Sequence, residues 1–349
     1  MDTIEIGLAV KNNLGMNLNL VQELRNDINS LKSPYGFTFC NVLEFSRTGN
    51  IIVKISYPRY FSGSNAFLID RKSQCFEVQR YFAENIMENE FWRQNIGKLN
   101  LLRVDIPFTY YMNTTEEFTS YENIYHIMAI VYNELKAKAR PKAFIDMIDN
   151  SMETVIYSDN GKADKSSNNK LMVYNQYLNL SNKLDEEVFE EALDTYKDLP
   201  YRIRMEVSKR IRLKCSFNSQ EFSNEDILGH YFEDYKNYIL NYALNIEKIN
   251  ELYDVWANNL AQLLNENRVL KNFNYEVFIL QNLSSIYDYE ILRRALMMSI
   301  ENQNTRENAV TRVRKILSEI QNERNIIVID TNAMLEKMIN TISNYQLLD

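Results

Sequence analysis

The chain has 349 residues, 45% of them hydrophobic and 25% charged, which is enough to bury the cores of two domains and excludes a wholly disordered protein. A net charge of -8 excludes a surface coated throughout in basic patches for nucleic acid, so any such contact must be local. With two histidines, and three cysteines that show no CxxC spacing, neither a histidine-rich metal site nor a disulfide framework is expected, and a metal here would be held by oxygen.

Along the chain, 3–10 (TIEIGLAV) reads as a strand, and 17–31 carries helical spacing through Leu18, Val21, Leu24 and Ile28. FTFCNVLEF at 37–45 and IIVKISY at 51–57 form a hairpin that turns at Gly49. SYPRYFSGSNAF, 56–67, reads as a hairpin strand whose Tyr57, Tyr60 and Phe61 interleave with Arg59 and so suit stacking on single-stranded DNA bases. Helices are expected near 75–87, 118–138 and 184–196, and strands at Leu101–Tyr110, through Val155 and Tyr157, at LMVYNQY and after Pro200. From about 224 onward the pattern is helical, with a boundary in the polar run 216–226; residues 326–330 (IIVID) and a final helix allow a winged-helix arrangement. The expected fold is α+β. A domain over 1–220, with a central antiparallel sheet flanked by helices, precedes a mainly helical accessory domain over 225–349. There is no run of about 18 apolar residues, so no membrane partner and a cytoplasmic location are expected.

Two carboxylates interrupt apolar strand patterns. Alternation in LLRVDIPF puts Arg103 and Asp105 on one face and Val104 and Ile106 on the other, and in YRIRMEVSKRIR it sets Arg202, Arg204 and Glu206 against Ile203, Met205 and Val207. On neighbouring strands Asp105 and Glu206 could share one Mg²⁺ or Mn²⁺. The alternative for Asp105 is an ion pair with Arg103 or a helix dipole, and for Glu206 a cross-strand salt bridge. Between the two strands lies Tyr157, beside Lys162, Lys165 and Lys170, where a cation would favour its phenolate. From Arg202 to Lys214 there are six basic residues against Glu206, a local +5.

SYPRYFSGSN at 56–65, LLRVDIPF at 101–108, TVIY at 154–157, Ser166 and Ser167, KLMVYNQYLNL at 170–180 and RIRMEV at 202–207 together resemble the replication initiators of filamentous phages and related plasmids. These are of the gene II/X type, akin to the Rep-trans initiators and relaxases of the HUH endonuclease group. The resemblance covers roughly 50–214. It implies an HUH-like domain with rolling-circle chemistry: a tyrosine attacks an origin phosphate, keeps the 5′ end as phosphotyrosine and frees a 3′-OH primer. On this chain it implies Tyr157 as nucleophile and Asp105 and Glu206 as the ligands of Mg²⁺ or Mn²⁺; Tyr174, on the paired strand, is the next candidate for the nucleophile, followed by Tyr110. DNA contacts are expected from Tyr57, Arg59, Tyr60, Lys170, Arg202 and Arg204. The implied partners are single-stranded or supercoiled origin DNA and a host helicase and polymerase. The chain departs from the pattern in lacking a His-hydrophobic-His motif and in reading Tyr174, Asn175, Gln176 where a YDK-like turn is usual. A mobilisation relaxase with the same chemistry, or a non-catalytic DNA-binding or virus-structural protein, is the alternative.

Overall fold

The computed structural model describes residues 1–10, 18–45, 50–136, 142–145, 152–158, 169–211, 215–269, 272–283, 286, 288–324 and 330–349. Expectations for the turn at Gly49, for Lys162, Lys165, Ser166 and Ser167, for Arg212 and Lys214, and for the strand at 326–330 fall outside these residues, save for Asp330.

The fold is α+β. Strands β1 (Thr3–Val10), β2 (Cys40–Phe45), β3 (Asn50–Ser56), β4 (Ile96–Tyr111), β5 (Lys142–Ile145), β6 (Met152–Ser158), β7 (Asn169–Asn175) and β8 (Arg202–Arg210) form an antiparallel sheet in the order β2-β3-β1-β4-β8-β7-β6-β5, and a short β9 (Ser216–Phe217) pairs with β4. Helices α1 (Leu18–Ser30), α2 (Tyr57–Ser62), α3 (Lys72–Phe82), α4 (Thr115–Leu135), α5 (Gln176–Ser181) and α6 (Glu186–Thr195) are interspersed with it. They are followed by α7 (Ser219–Asn224), α8 (Ile227–Tyr238), α9 (Ile246–Arg268), α10 (Tyr275–Gln281), α11 (Tyr289–Ser299), α12 (Gln303–Arg324) and α13 (Thr331–Ser343). None of the described helices is long and apolar enough to cross a membrane.

The period-2 alternation gives the sheet two unlike faces. On one face, Ile4 pairs with Val104, Ile106 with Val207, Val207 with Leu171 and Leu171 with Tyr157, all buried. Helix α8 covers this side: the Phe232 ring meets Phe108 at 5.3 Å, and the Tyr235 hydroxyl donates to the Val104 carbonyl at 3.1 Å. The other face is polar. It carries Thr3, Asp105, Ser208 and Lys170 in one cross-strand row, and Thr109, Arg204, Tyr174 and Thr154 in another.

Residues 57–62 form helix α2 rather than the expected strand. Pro58 lies in the first helical turn, where its missing N–H costs nothing, and Gly63 ends the helix at φ +69. A Cβ at Gly63 would also run into the Phe37 ring at 2.7 Å. The helix buries Tyr57 and Tyr60 and leads the chain to Ser64–Ala66, beside the polar face.

Two compact units divide the chain differently from the expected boundary. One contains 1–111, 136–239 and 344–349; the other contains 112–135 and 240–343, so helix α4 groups with the second unit and α7 and α8 with the first. The polar run at 216–226 is structured because Asn218 and Glu221 form a capping box, Phe222 is buried against Phe82, and Gln79 Nε2 donates to the Phe222 and Glu225 carbonyls at 2.7 and 2.9 Å.

Within the second unit, buried Asp288 ties three helices. It caps α11 through the Glu290 N–H at 2.9 Å, accepts the Asn332 N–H of α13 at 3.2 Å, and accepts the Tyr253 hydroxyl of α9 at 2.6 Å. Asp288→Ala removes the acceptor these three donors share, so a loss of about 3 kcal/mol is expected from cap and buried hydrogen bonds together. Chemical denaturation checks this, and a change within 0.5 kcal/mol, the usual range for a surface substitution, would show the latch to be unimportant.

Candidate functional site

The polar face meets a cavity of about 610 Å³ whose lining includes Asp2, Tyr174, Glu206, Asn179, Lys54, Arg59 and Lys183. Strands β4, β7 and β8 bring the ionisable groups of the polar face together. Arg204 stands directly opposite Tyr174 across the β7–β8 ladder, and Glu206, two residues on, shares their face. Arg204 is fully buried and pairs with Asp2 at 3.0 Å, while Arg103 holds Asp105 at 2.8 Å, Ser208 Oγ at 2.7 Å and Glu5 at 3.3 Å. Glu206 accepts the Tyr174 hydroxyl at 3.2 Å.

Burial pushes the Glu206 carboxyl up to about 7, helped by the neighbouring charges of Asp2 and Asp105 and opposed by Arg204 and Arg103. That value suits a group that must take and return a proton near neutrality. Burial also pushes the Tyr174 phenol well above its ordinary value, and Arg204 is the main influence in the opposite direction. A phenol of this kind loses its proton only to an adjacent base with a cation nearby. Glu206 and Arg204 occupy those two places.

The structure changes several expected roles. Asp105 and Glu206 do lie on one face of neighbouring strands, but Asp105 is opposite Ser208 while Glu206 is opposite Pro107, making them diagonal neighbours about 7–8 Å apart. The Asp105 carboxylate already holds a guanidinium. Among the described residues no three His, Cys, Asp or Glu side chains are grouped as a metal would require, so the expected Mg²⁺ or Mn²⁺ pair fits poorly.

Tyr157 is 0% exposed and pairs with Leu171 on the apolar side, across the sheet from Glu206. Tyr110, opposite Ile203, is on that side too. Tyr174, 4% exposed, is the tyrosine brought to the carboxylates.

Among the expected DNA contacts, Arg202 and Arg204 are buried and donate to the Ala66 and Asn65 carbonyls, both at 2.6 Å, with Asp198 further engaging Arg202. They hold the segment over the sheet and cannot form a surface path for phosphates. Tyr57 and Tyr60 are buried as well, Tyr57 donating to Gln79 Oε1 at 3.2 Å and Tyr60 meeting Phe39 edge-on, so neither offers a face for base stacking. Arg59 remains exposed at the cavity, and half-buried Lys170 lies in the Asp105 row. Asp2 went unrecognised in the sequence because nothing local links it to Arg204, 202 positions away. The chain matches no family model, no curated protein and no solved structure.

Proposed function

We propose that the polar face cleaves single-stranded DNA by strand transfer, as a rolling-circle initiator does, with Tyr174 in the role expected of Tyr157. The observation that carries this reading is the Tyr174 hydroxyl donating to Glu206 at 3.2 Å beside a buried arginine. Glu206 takes the phenolic proton, and Arg204, facing Tyr174 across the ladder, balances the developing phenolate. The tyrosine oxygen attacks phosphorus and the P–O3′ bond breaks. The downstream fragment stays on Tyr174 through its 5′-phosphate as a phosphodiester, and the upstream fragment leaves with a 3′-OH.

Lys54, Arg59 and Lys183 line the cavity and supply positive charge for the flanking phosphates. Because Asp105 is committed to Arg103, no step passes through a divalent cation. Origin DNA, with a helicase and polymerase to extend the freed 3′-OH, are the partners such a reaction needs; a mobilisation relaxase would share the chemistry.

A randomised single-stranded oligonucleotide pool, labelled at its 3′ end, tests the reading. Wild type and Tyr157→Phe should form a denaturant-resistant protein-DNA adduct, whereas Tyr174→Phe should bind the pool and form none. An undiminished adduct with Tyr174→Phe would remove Tyr174 from the role, and binding without an adduct in wild type would favour a non-catalytic DNA-binding protein.

A further inference from the structure

We propose that Lys170 is the proton donor to the 3′-oxygen that departs when Tyr174 attacks, an assignment that rests on the reading of Tyr174 and Glu206 above. Strand β7 presents Lys170, Met172 and Tyr174 in succession on the polar face, and Glu206 sits opposite Met172, between the other two. At about 3.3 Å per residue the Lys170 and Tyr174 Cα atoms are roughly 13 Å apart. Side chains leaning inward from both positions can bracket one phosphate, with attacking and departing oxygens on opposite sides of phosphorus.

Arg59, Arg103 and Arg204 cannot play this part, because a guanidinium does not give up its proton in proteins. Lys54 is on β3, four strands away in the sheet, and Lys183 is exposed to solvent. Lys170 is half-buried, and burial together with the like charge of Arg103 lowers its ammonium from the ordinary value, with Asp105, Glu206 and Glu5 opposing. A lysine drawn down in this way gives its proton more readily.

The step balances without a further reactant. The Tyr174 Oη–P bond forms and the P–O3′ bond breaks, the phenolic proton passes to Glu206 and a Lys170 proton passes to O3′. Resealing reverses both transfers: neutral Lys170 takes the proton of the attacking 3′-OH, and Glu206 returns its proton to the departing phenolate.

The test replaces O3′ of the cleaved linkage in an adduct-forming oligonucleotide with sulfur, which departs as a thiolate and needs no proton because a thiol is far more acidic than an alcohol. Lys170→Ala should slow adduct formation on the oxygen oligonucleotide by about 10²–10⁴-fold. On the sulfur oligonucleotide it should approach the wild-type rate. Lys170→Arg, which keeps charge and most of the bulk, should show the same oxygen defect and the same sulfur rescue, so a misfolded alanine variant cannot hide the answer. Equal losses of both variants on the two oligonucleotides, or no loss on oxygen, would overturn the assignment. If wild type forms no adduct with either oligonucleotide, the strand-transfer reading itself fails and takes the proposal with it.

Discussion

Glu206→Gln is expected to slow adduct formation by about 10²–10⁴-fold, the usual contribution of a positioned base. The glutamine keeps the size of the side chain and an oxygen to accept the Tyr174 hydroxyl, but it cannot take the proton. Wild-type activity should rise with pH through about 7 as Glu206 ionises, and the variant should lose that limb. The groups that set its position are Asp2 and Asp105, which raise it, and Arg204 and Arg103, which lower it.

Stability should move the opposite way. The folded-state value of about 7 lies above the ordinary 4.5, so between those values the folded state holds the proton more tightly than the unfolded one. Wild type therefore loses stability as pH rises through that window, and Glu206→Gln should not. Chemical denaturation at pH 5 and pH 8 measures both chains; a pH-independent difference between them would place Glu206 outside the charge cluster.

Arg204→Ala should destabilise the sheet-bearing unit by about 3–5 kcal/mol, because it abandons a buried partner. Asp2 would lose its ion pair at 3.0 Å, and the Asn65 carbonyl one of its two donors, keeping Gln176 Nε2 at 2.7 Å. The same change removes the cation that opposes the rise of Glu206, so the acid limb of the activity profile should move to higher pH. Denaturation midpoints check the first effect and the pH profile the second. A loss below about 1 kcal/mol, typical of an exposed ion pair, would mean that Arg204 is in practice solvated.

Strand order in the chain and alternation within each strand were legible. They placed Asp105 and Arg103 on one face of β4, and Arg202, Arg204 and Glu206 on one face of β8, as the ladders have them. The choice of tyrosine was also within reach. In β7 the apolar Leu171 and Val173 alternate against Lys170 and Tyr174, and in β6 Tyr157 shares parity with Val155 rather than with Thr154, which pairs with Tyr174. Parity favours Tyr174, whereas position in the chain between the acidic strands points to Tyr157.

What was not legible came from distant segments. Nothing near Arg202 and Arg204 indicates that Asn65, Ala66 and Asp2 will cover them, so two strand arginines read as an open path for phosphates. The helix at 57–62 was signalled by Pro58 and Gly63, but the aromatic residues between them suggested a strand. Likewise the polar composition of 216–226 suggests a domain boundary, although its Asn218 and Glu221 spacing is that of a helix start.

If Tyr174 carries the DNA, the covalent adduct must map to it. After nuclease trimming and tryptic digestion, the two tyrosines fall on separate peptides, 143–162 with Tyr157 and 171–183 with Tyr174. Fragmentation by mass spectrometry should place the residual nucleotide on Tyr174 within 171–183; a nucleotide on Tyr157 within 143–162 would contradict the account.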